Sequence, residues 1–243
     1  MIVVDKGRTP ARLSAFAGAL SLYELENVHL APWSPTVEET RSFALNRCSH
    51  DWVVCLDDDE LLSPACAETF HHFVASGQDD ILDVPIRHHV LGRHDARACY
   101  WPEWRPTLFR RGAIRFGETV HAGVGYSGRV VRLPEDHPAH VVHLSHPDVA
   151  TWVEKTNRYT SQPNRTGVAA PPSGGFVPWA LERLSERVRS ETMGDDYLDA
   201  VALLHGLYAI VDGLKRWETT QADGRVAFEA IARAEIERHR CAA

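Results

Sequence analysis

The stretch Asp51-Trp52-Val53-Val54-Cys55-Leu56-Asp57-Asp58-Asp59-Glu60 decides how the chain reads. Its apolar run is too short for a helix and is continuous rather than alternating, as in a strand covered on both faces. The run stops at four consecutive acids, which therefore lie at the strand's carboxyl end. In an extended backbone, side chains two apart point to the same side, so Asp57 and Asp59 face one way with Asp58 between them. Two carboxylates so placed repel each other. A hard divalent cation, Mg2+ or Mn2+, relieves the repulsion and keeps open positions for phosphate oxygens. The alternative is a solvated acidic loop, but acids that follow directly on an apolar strand favour the metal site.

Working outward, Thr36-x-x-Glu39 forms a capping box that opens a helix carrying Arg41, Phe43, Ala44 and Leu45. Before it, Val28 to Trp33 reads as a strand. Ile2 to Val4 reads as another, ending at Asp5, with Thr9-Pro10 then starting a helix that runs to Tyr23. After the acids, Ser63-Pro64 starts a helix ending near Gly77. Strands joined by helices imply an α/β fold with a mostly parallel sheet, whose ligands sit beyond the carboxyl ends of the strands. Asp5 and the acidic cluster both occupy such ends.

From Ile81 to Leu144, shorter β segments punctuated by Gly92, Gly112, Gly117, Gly123 and Gly128 predict a mixed or antiparallel extension of the sheet. Helix returns at Asp148. Pro163 to Pro178 is rich in proline and glycine and reads as a linker, dividing the chain into a domain over 1–162 and a helical region over 179–243. There, Tyr197, Val201, Leu204, Tyr208 and Val211 recur at helical spacing.

Composition narrows the classes. The 243 residues are 44% hydrophobic and 24% charged, which is globular, and the net charge of -7 excludes a surface built to grip nucleic acid. Five cysteines without a C-x-x-C pair indicate neither a disulfide framework nor a zinc ribbon, and fit a reducing, cytoplasmic compartment. The N-terminus reads as too soon charged for a signal peptide. The most apolar stretch, from Tyr197, is interrupted by Asp199, His205 and Asp212. That leaves peripheral contact with the inner face of a membrane, rather than a span, as the membrane-related expectation.

Three blocks resemble family 2 glycosyltransferases, in particular the branch that includes the lipopolysaccharide-core glucosyltransferases. RSFALNRCSHDWVVCLDDDELL, from Arg41, is similar to that family's R-N-x-A-L and D-x-D-E block. RPTLFR from Arg105, followed by FGETVHA from Phe116, resembles its R-x-x-L-F-R and V-H-E segment. HLSHPDVATWVEKTNRYT, from His143, resembles its H, W-x-x-K and Y-T block. Three blocks in one order are more specific than any single motif.

The resemblance implies a GT-A fold, here a mixed sheet flanked by helices with a helical C-terminal extension, that binds a nucleotide-diphospho-sugar. It implies that Asp57, Asp59 and His143 hold Mg2+ or Mn2+. It also implies that Asp5, Arg41, Asp57, Asp58, Lys155 and Tyr159 contact the donor. On the helix after His143, Trp152, Lys155 and Tyr159 share a face, with Trp152 read as core. Asp5 matches the family's second sheet strand, so its first strand and helix are expected to be absent. Ala122 replaces the glutamate of V-H-E, which leaves the proton acceptor to another carboxylate: Glu118 first, Glu103 second.

The activity implied is inverting transfer of the sugar to a hydroxyl of a glycan or lipid-linked acceptor. Two rivals remain: a non-catalytic binding module of the same fold, and a metal-dependent nucleotidyltransferase or hydrolase. The C-terminal helices are expected either to pack on the sheet domain or to pair with another subunit as a homo-oligomer.

Overall fold

The computed structural model describes residues 2–5, 26–29, 38–117, 123–162, 175–189, 192–221 and 223–241. In chain order its elements begin with strands β1 (Ile2–Asp5) and β2 (Glu26–His29), helix α1 (Glu38–Leu45), strands β3 (Trp52–Val54) and β4 (Glu60–Leu62), and helix α2 (Cys66–Ser76). Strands β5 (Ile81–Val90), β6 (Trp104–Arg110), β7 (Ile114–Phe116), β8 (Val124–Tyr126), β9 (Val130–Arg132) and β10 (Val141–His146) follow. Helices α3 (Val149–Thr160), α4 (Phe176–Ser185), α5 (Asp196–Glu218) and α6 (Gly224–Cys241) complete the chain. The architecture is α/β, with a mixed sheet, flanking helices and a helical C-terminal part.

β5 is the axis of the main sheet. Its first six residues are all buried, as expected of a strand covered on both faces. β6 runs antiparallel along one edge. The other edge is shared: β9 pairs in parallel with Ile81 to Asp83, and β10 in parallel from Ile86 onward. Pro85 falls where β9 has ended and β10 has only begun, so its missing N–H removes no ladder bond. β3 closes one end of the sheet against β6 and β4 the other against β10, both antiparallel.

The expectation of a mostly parallel sheet is therefore corrected. So is the reading of residues 51–56 as a buried strand: β3 is a three-residue edge strand, and Val54 and Leu56 are 43% and 38% exposed. An edge strand packs where its neighbours cover it. Trp52 meets Phe73 of α2 edge-to-face, and Val53 and Cys55 pack beside Ile81 and Phe109.

Along β5, Leu82, Val84 and Ile86 project to one face and form a core with Leu108, Val141, Cys66 and Phe70 beneath α2. Gly77 ends that helix in the left-handed region, at φ 61, where a side chain is strained. Beyond Ile86 the same face turns polar, because the next alternate residue is His88. In β10 the residue two beyond buried Val141 is His143.

The helical region docks on this end of the sheet. Val90, Ala98, Trp152, Leu198 and Val201 form a second core joining β5, α3 and α5. The Tyr197 hydroxyl donates to the carbonyls of Val90 and Arg93, and Lys215 donates to Asn157 and Ser161 at the end of α3. By length and composition α5 would suffice to cross a membrane, yet 44% of its most apolar window is buried within the structure. α4 begins at Phe176, inside the stretch read as a linker, with Pro178 in its first turn.

Candidate functional site

Residues 57–60 form a turn, closed by the Glu60 amide donating to the Asp57 carbonyl at 3.1 Å. This corrects the extended geometry expected for the acids: Asp57 and Asp59 are directed to different partners. Asp57 accepts from Arg41 at 2.6 Å and from Arg105 at 3.1 Å. Asp59 lies 3.4 Å from His143 Nε2 and 3.4 Å from Lys155 Nζ. Asp58, at the tip of the turn, is exposed.

The side chain of Glu60, counted in the sequence only as one more acid, is buried. Its Oε2 takes the Asp57 amide at 2.9 Å and also pairs with Arg105. Its Oε1 is buried with no hydrogen-bond partner.

Sheet register explains why these residues meet. His143 is directly opposite Glu60 of β4 on one side and His88 of β5 on the other, so the three form a row on one face. Arg105 of β6 pairs with Val84, which lies on that same face. Lys155 arrives from α3, whose start is fixed by Asp148 accepting from the Thr151 amide at 2.6 Å. It also donates to the Ser145 carbonyl at 2.8 Å. Arg41 arrives from α1.

The electrostatics are those of a matched cluster. Burial pushes the Asp59 carboxyl up, but the hydrogen bond and charge of His143, with Lys155 behind them, outweigh it and hold Asp59 at about 2. Burial disfavours the Arg105 charge, and Glu60 and Asp57 more than restore it. Asp57, Asp59 and Glu60 thus stand against Arg41, Arg105 and Lys155.

Behind His143 lies His88, brought there by the pairing of β10 with β5, and beyond it Glu103, the second candidate for the proton acceptor. His143 Nδ1 is 2.8 Å from His88 Nδ1, and His88 Nε2 is 3.0 Å from Glu103 Oε2. The available signal was a histidine in an apolar slot of an alternating strand. Arg105 belongs to the RPTLFR block, and only the fold brings it to Asp57 and Glu60.

Tyr159 lies one turn beyond Lys155, under the Arg158 guanidinium at 4.8 Å. Trp152 is core, as read, and stacks on His146 at 4.1 Å. Asp5 ends β1 opposite His29. Glu118 and Ala122 lie outside the described residues.

Asp59 and His143 offer one oxygen and one nitrogen donor, a set that suits Mn2+. The divergence of Asp57 leaves no third donor beside them: among the described residues no group of three or more His, Cys, Asp or Glu side chains is arranged to hold a metal ion. What converges is a set of cations and carboxylates on the polar end of a sheet face, suited to an anionic ligand with or without a divalent ion.

No protein-family model matches the chain. Over 148 residues, 56% of this chain and 50% of the relative, it is 26% identical to an uncharacterized glycosyltransferase of Rickettsia felis. Over 148 residues, 56% and 51% of the two chains, it is 26% identical to an uncharacterized glycosyltransferase of Rickettsia conorii. The chain spans about half the length of the curated relatives it matches. Among solved structures, S. aureus TarS 1-349 in complex with UDP is similar at a TM-score of 0.45 and 13% identity, over 91% of this chain and 82% of that one. The same protein in complex with UDP-GlcNAc gives a TM-score of 0.46 at 14% identity, over 91% and 83%.

Proposed function

We propose that the chain is the donor-binding and catalytic part of a glycosyltransferase of GT-A fold. In this reading it transfers a sugar from a nucleotide-diphospho-sugar to an acceptor hydroxyl with inversion. The observation that carries it is that Arg41, Asp57, Asp59, Arg105, His143 and Lys155, drawn from three sequence-distant motif blocks, meet in one cluster. The two relatives named glycosyltransferase support the coarser part of this reading.

The roles follow from charge. Arg41 and Arg105, held by Asp57 and Glu60, present guanidinium N–H groups to phosphate oxygens, and Lys155 adds a third cation. The three carboxylates already offset these cations, so a diphosphate brings unmatched negative charge. Asp59 and His143 would hold the Mg2+ or Mn2+ that offsets it, and when bound that ion supplies Lewis-acid stabilisation of the leaving group. The acceptor oxygen bonds to the anomeric carbon as the carbon–oxygen bond to the diphosphate breaks. The bonding pair leaves on the phosphate oxygen, and the hydroxyl proton passes to a carboxylate, Glu118 first and Glu103 second. Asp5, Asp58 and Tyr159 stay as proposed donor contacts, and the acceptor as a glycan or lipid-linked hydroxyl.

A second reading, in which the cations alone hold the diphosphate, is favoured by the lack of a third metal donor among the described residues. Calorimetry with a panel of nucleoside diphosphates, with and without Mn2+, separates the two. Asp59→Asn is expected to abolish the Mn2+-dependent gain in affinity. Asp57→Asn, which loosens Arg41 while Glu60 still holds Arg105, is expected to weaken binding to a similar extent with and without Mn2+. Wild-type affinity independent of Mn2+ selects the second reading, and no binding of any nucleoside diphosphate rejects both.

A further inference from the structure

We infer that the cleft between α1 and the β7–β8 pair binds a sugar phosphate ester, and that this ester belongs to the acceptor. The inference rests on the glycosyltransferase reading above and names the chemistry of the acceptor it needs.

The cleft has a volume of about 500 Å3, within the range of small-ligand sites. Its floor is apolar: Leu45 of α1 and Phe116 of β7 pack with buried Ile114 beside Ile81 and Phe109. Arg111 and Arg115 also line it, and among the described residues no carboxylate does. In a chain with a net charge of -7, that is a local reversal of sign. The neighbouring Arg110 is neutralised by Asp80 at 3.1 Å. The Arg111 guanidinium donates instead to the Cys48 carbonyl, which leaves its charge uncancelled and further N–H groups for a ligand. Arg115 stands opposite Gly125 in the β7–β8 ladder, so no side chain faces it across the pair. Guanidinium groups in this state are suited to phosphate, whose oxygens accept their N–H groups in pairs.

Two observations separate this cleft from the donor diphosphate while keeping it beside the reaction. Arg111 continues the line of β6, its amide donating to the Asp51 carbonyl at 2.8 Å, and the extended backbone from Arg105 to Arg111 spans about 20 Å. One diphosphate does not reach both arginines. Toward the cluster, the Arg41 guanidinium, paired with Asp57, lies 6.0 Å from the centre of the Phe116 ring. A molecule seated along the floor, with its phosphate at the two unpaired arginines, therefore extends toward Arg41 and Asp57, where the proposed transfer takes place. The apolar floor fits the face of a sugar ring, and the arginines fix its direction.

The test follows the amide chemical shifts of the full chain during titration with glucose 6-phosphate, inorganic phosphate, glucose and UDP. Glucose 6-phosphate is expected to move the amides of Gly112, Ile114 and Ser127 and to bind more tightly than inorganic phosphate, while glucose leaves them in place. Changing Arg111→Gln and Arg115→Gln together should weaken glucose 6-phosphate about ten-fold or more, with UDP affinity near wild type because Arg41 and Arg105 remain. Arg111 also holds the Cys48 carbonyl, so Arg115→Glu, which reverses one charge and leaves that contact intact, serves as a second variant and should weaken glucose 6-phosphate as well. Thermal unfolding verifies that each variant is folded. Unmoved amides in the wild-type chain, or wild-type affinity in the folded variants, overturn the inference. Inorganic phosphate binding as tightly as glucose 6-phosphate overturns the assignment to a sugar, and UDP moving the same amides overturns the separation from the donor. A chain that binds glucose 6-phosphate in the cleft but no nucleoside diphosphate rejects the glycosyltransferase reading and leaves the phosphate site standing.

Discussion

Arg105 is the residue on which the cluster turns, because its guanidinium meets Asp57 and buried Glu60 at once. Arg105→Leu leaves the Glu60 carboxylate inside the protein with no cation against it. The expected cost is about 3–5 kcal/mol, since the surviving charge stays buried and unpaired. Denaturant unfolding reads this directly. Pairing the change with Glu60→Gln should return much of the loss, whereas additive losses would show that the two side chains are not coupled. At this scale the sequence was legible where chemistry is carried by motif: Asp57, Asp59, His143, Arg41 and Lys155 all reach the cluster. It was not legible for Glu60 and His88. The burial of Glu60 depends on strands that arrive from eighty residues later, and His88 becomes informative only once β10 sets His143 beside it.

Among the elements, α5 shows how far periodicity reaches. The stripe of Tyr197, Val201, Leu204, Tyr208 and Val211 predicts the helix, and Val201, Tyr197 and Leu204 do meet the second core. A second buried stripe of α5 is made instead of small residues, Ala202, Gly206, Ala209 and Gly213, which a search for large apolar side chains passes over, and Gly206 in it meets Leu184 of α4. At Gly206 the missing side chain permits close approach. A Cβ on Gly206 would lie 2.4 Å from Leu184 Cδ2 and 3.3 Å from its Cα. Gly206→Val is therefore expected to push α4 off α5 and cost about 1–3 kcal/mol, seen as a lowered thermal midpoint. An unchanged midpoint would mean that the two helices separate without penalty. The edge position of β3 was illegible for a different reason: continuous hydrophobicity reports that a segment is apolar, and only pairing reveals how many neighbours it has.

For the molecule as a whole, the joint between the sheet domain and the helical region is sensitive to acid. His205 of α5 lies against Trp152 and Tyr100, with ring centroids 4.8 and 5.6 Å apart. Burial, reinforced by the nearby Arg187 and His88 charges, lowers it to about 4. The unfolded chain binds this proton first as pH falls, because an unperturbed histidine titrates near 6.5. The stability contributed is thus complete above about pH 6.5 and is lost as pH falls toward 4, up to about 3 kcal/mol. His205→Phe keeps the ring contacts and removes the proton, so its unfolding free energy should fall less than that of wild type between about pH 7 and pH 4. Equal losses in the two proteins would mean that His205 titrates as freely folded as unfolded.

The row of Glu60, His143 and His88 across three strands also makes the site an address reached by counting. Because strand side chains alternate, one residue inserted between Val141 and His143 would send the imidazole to the opposite face while leaving most of the ladder able to re-pair. The exposed turn at residues 134–136 feeds β10 but holds no member of the row, whereas Ala139 is buried and His140 is tied to Ser63. Added length there leaves the count untouched, so change in this chain is tolerated where the backbone turns and penalised where it is paired.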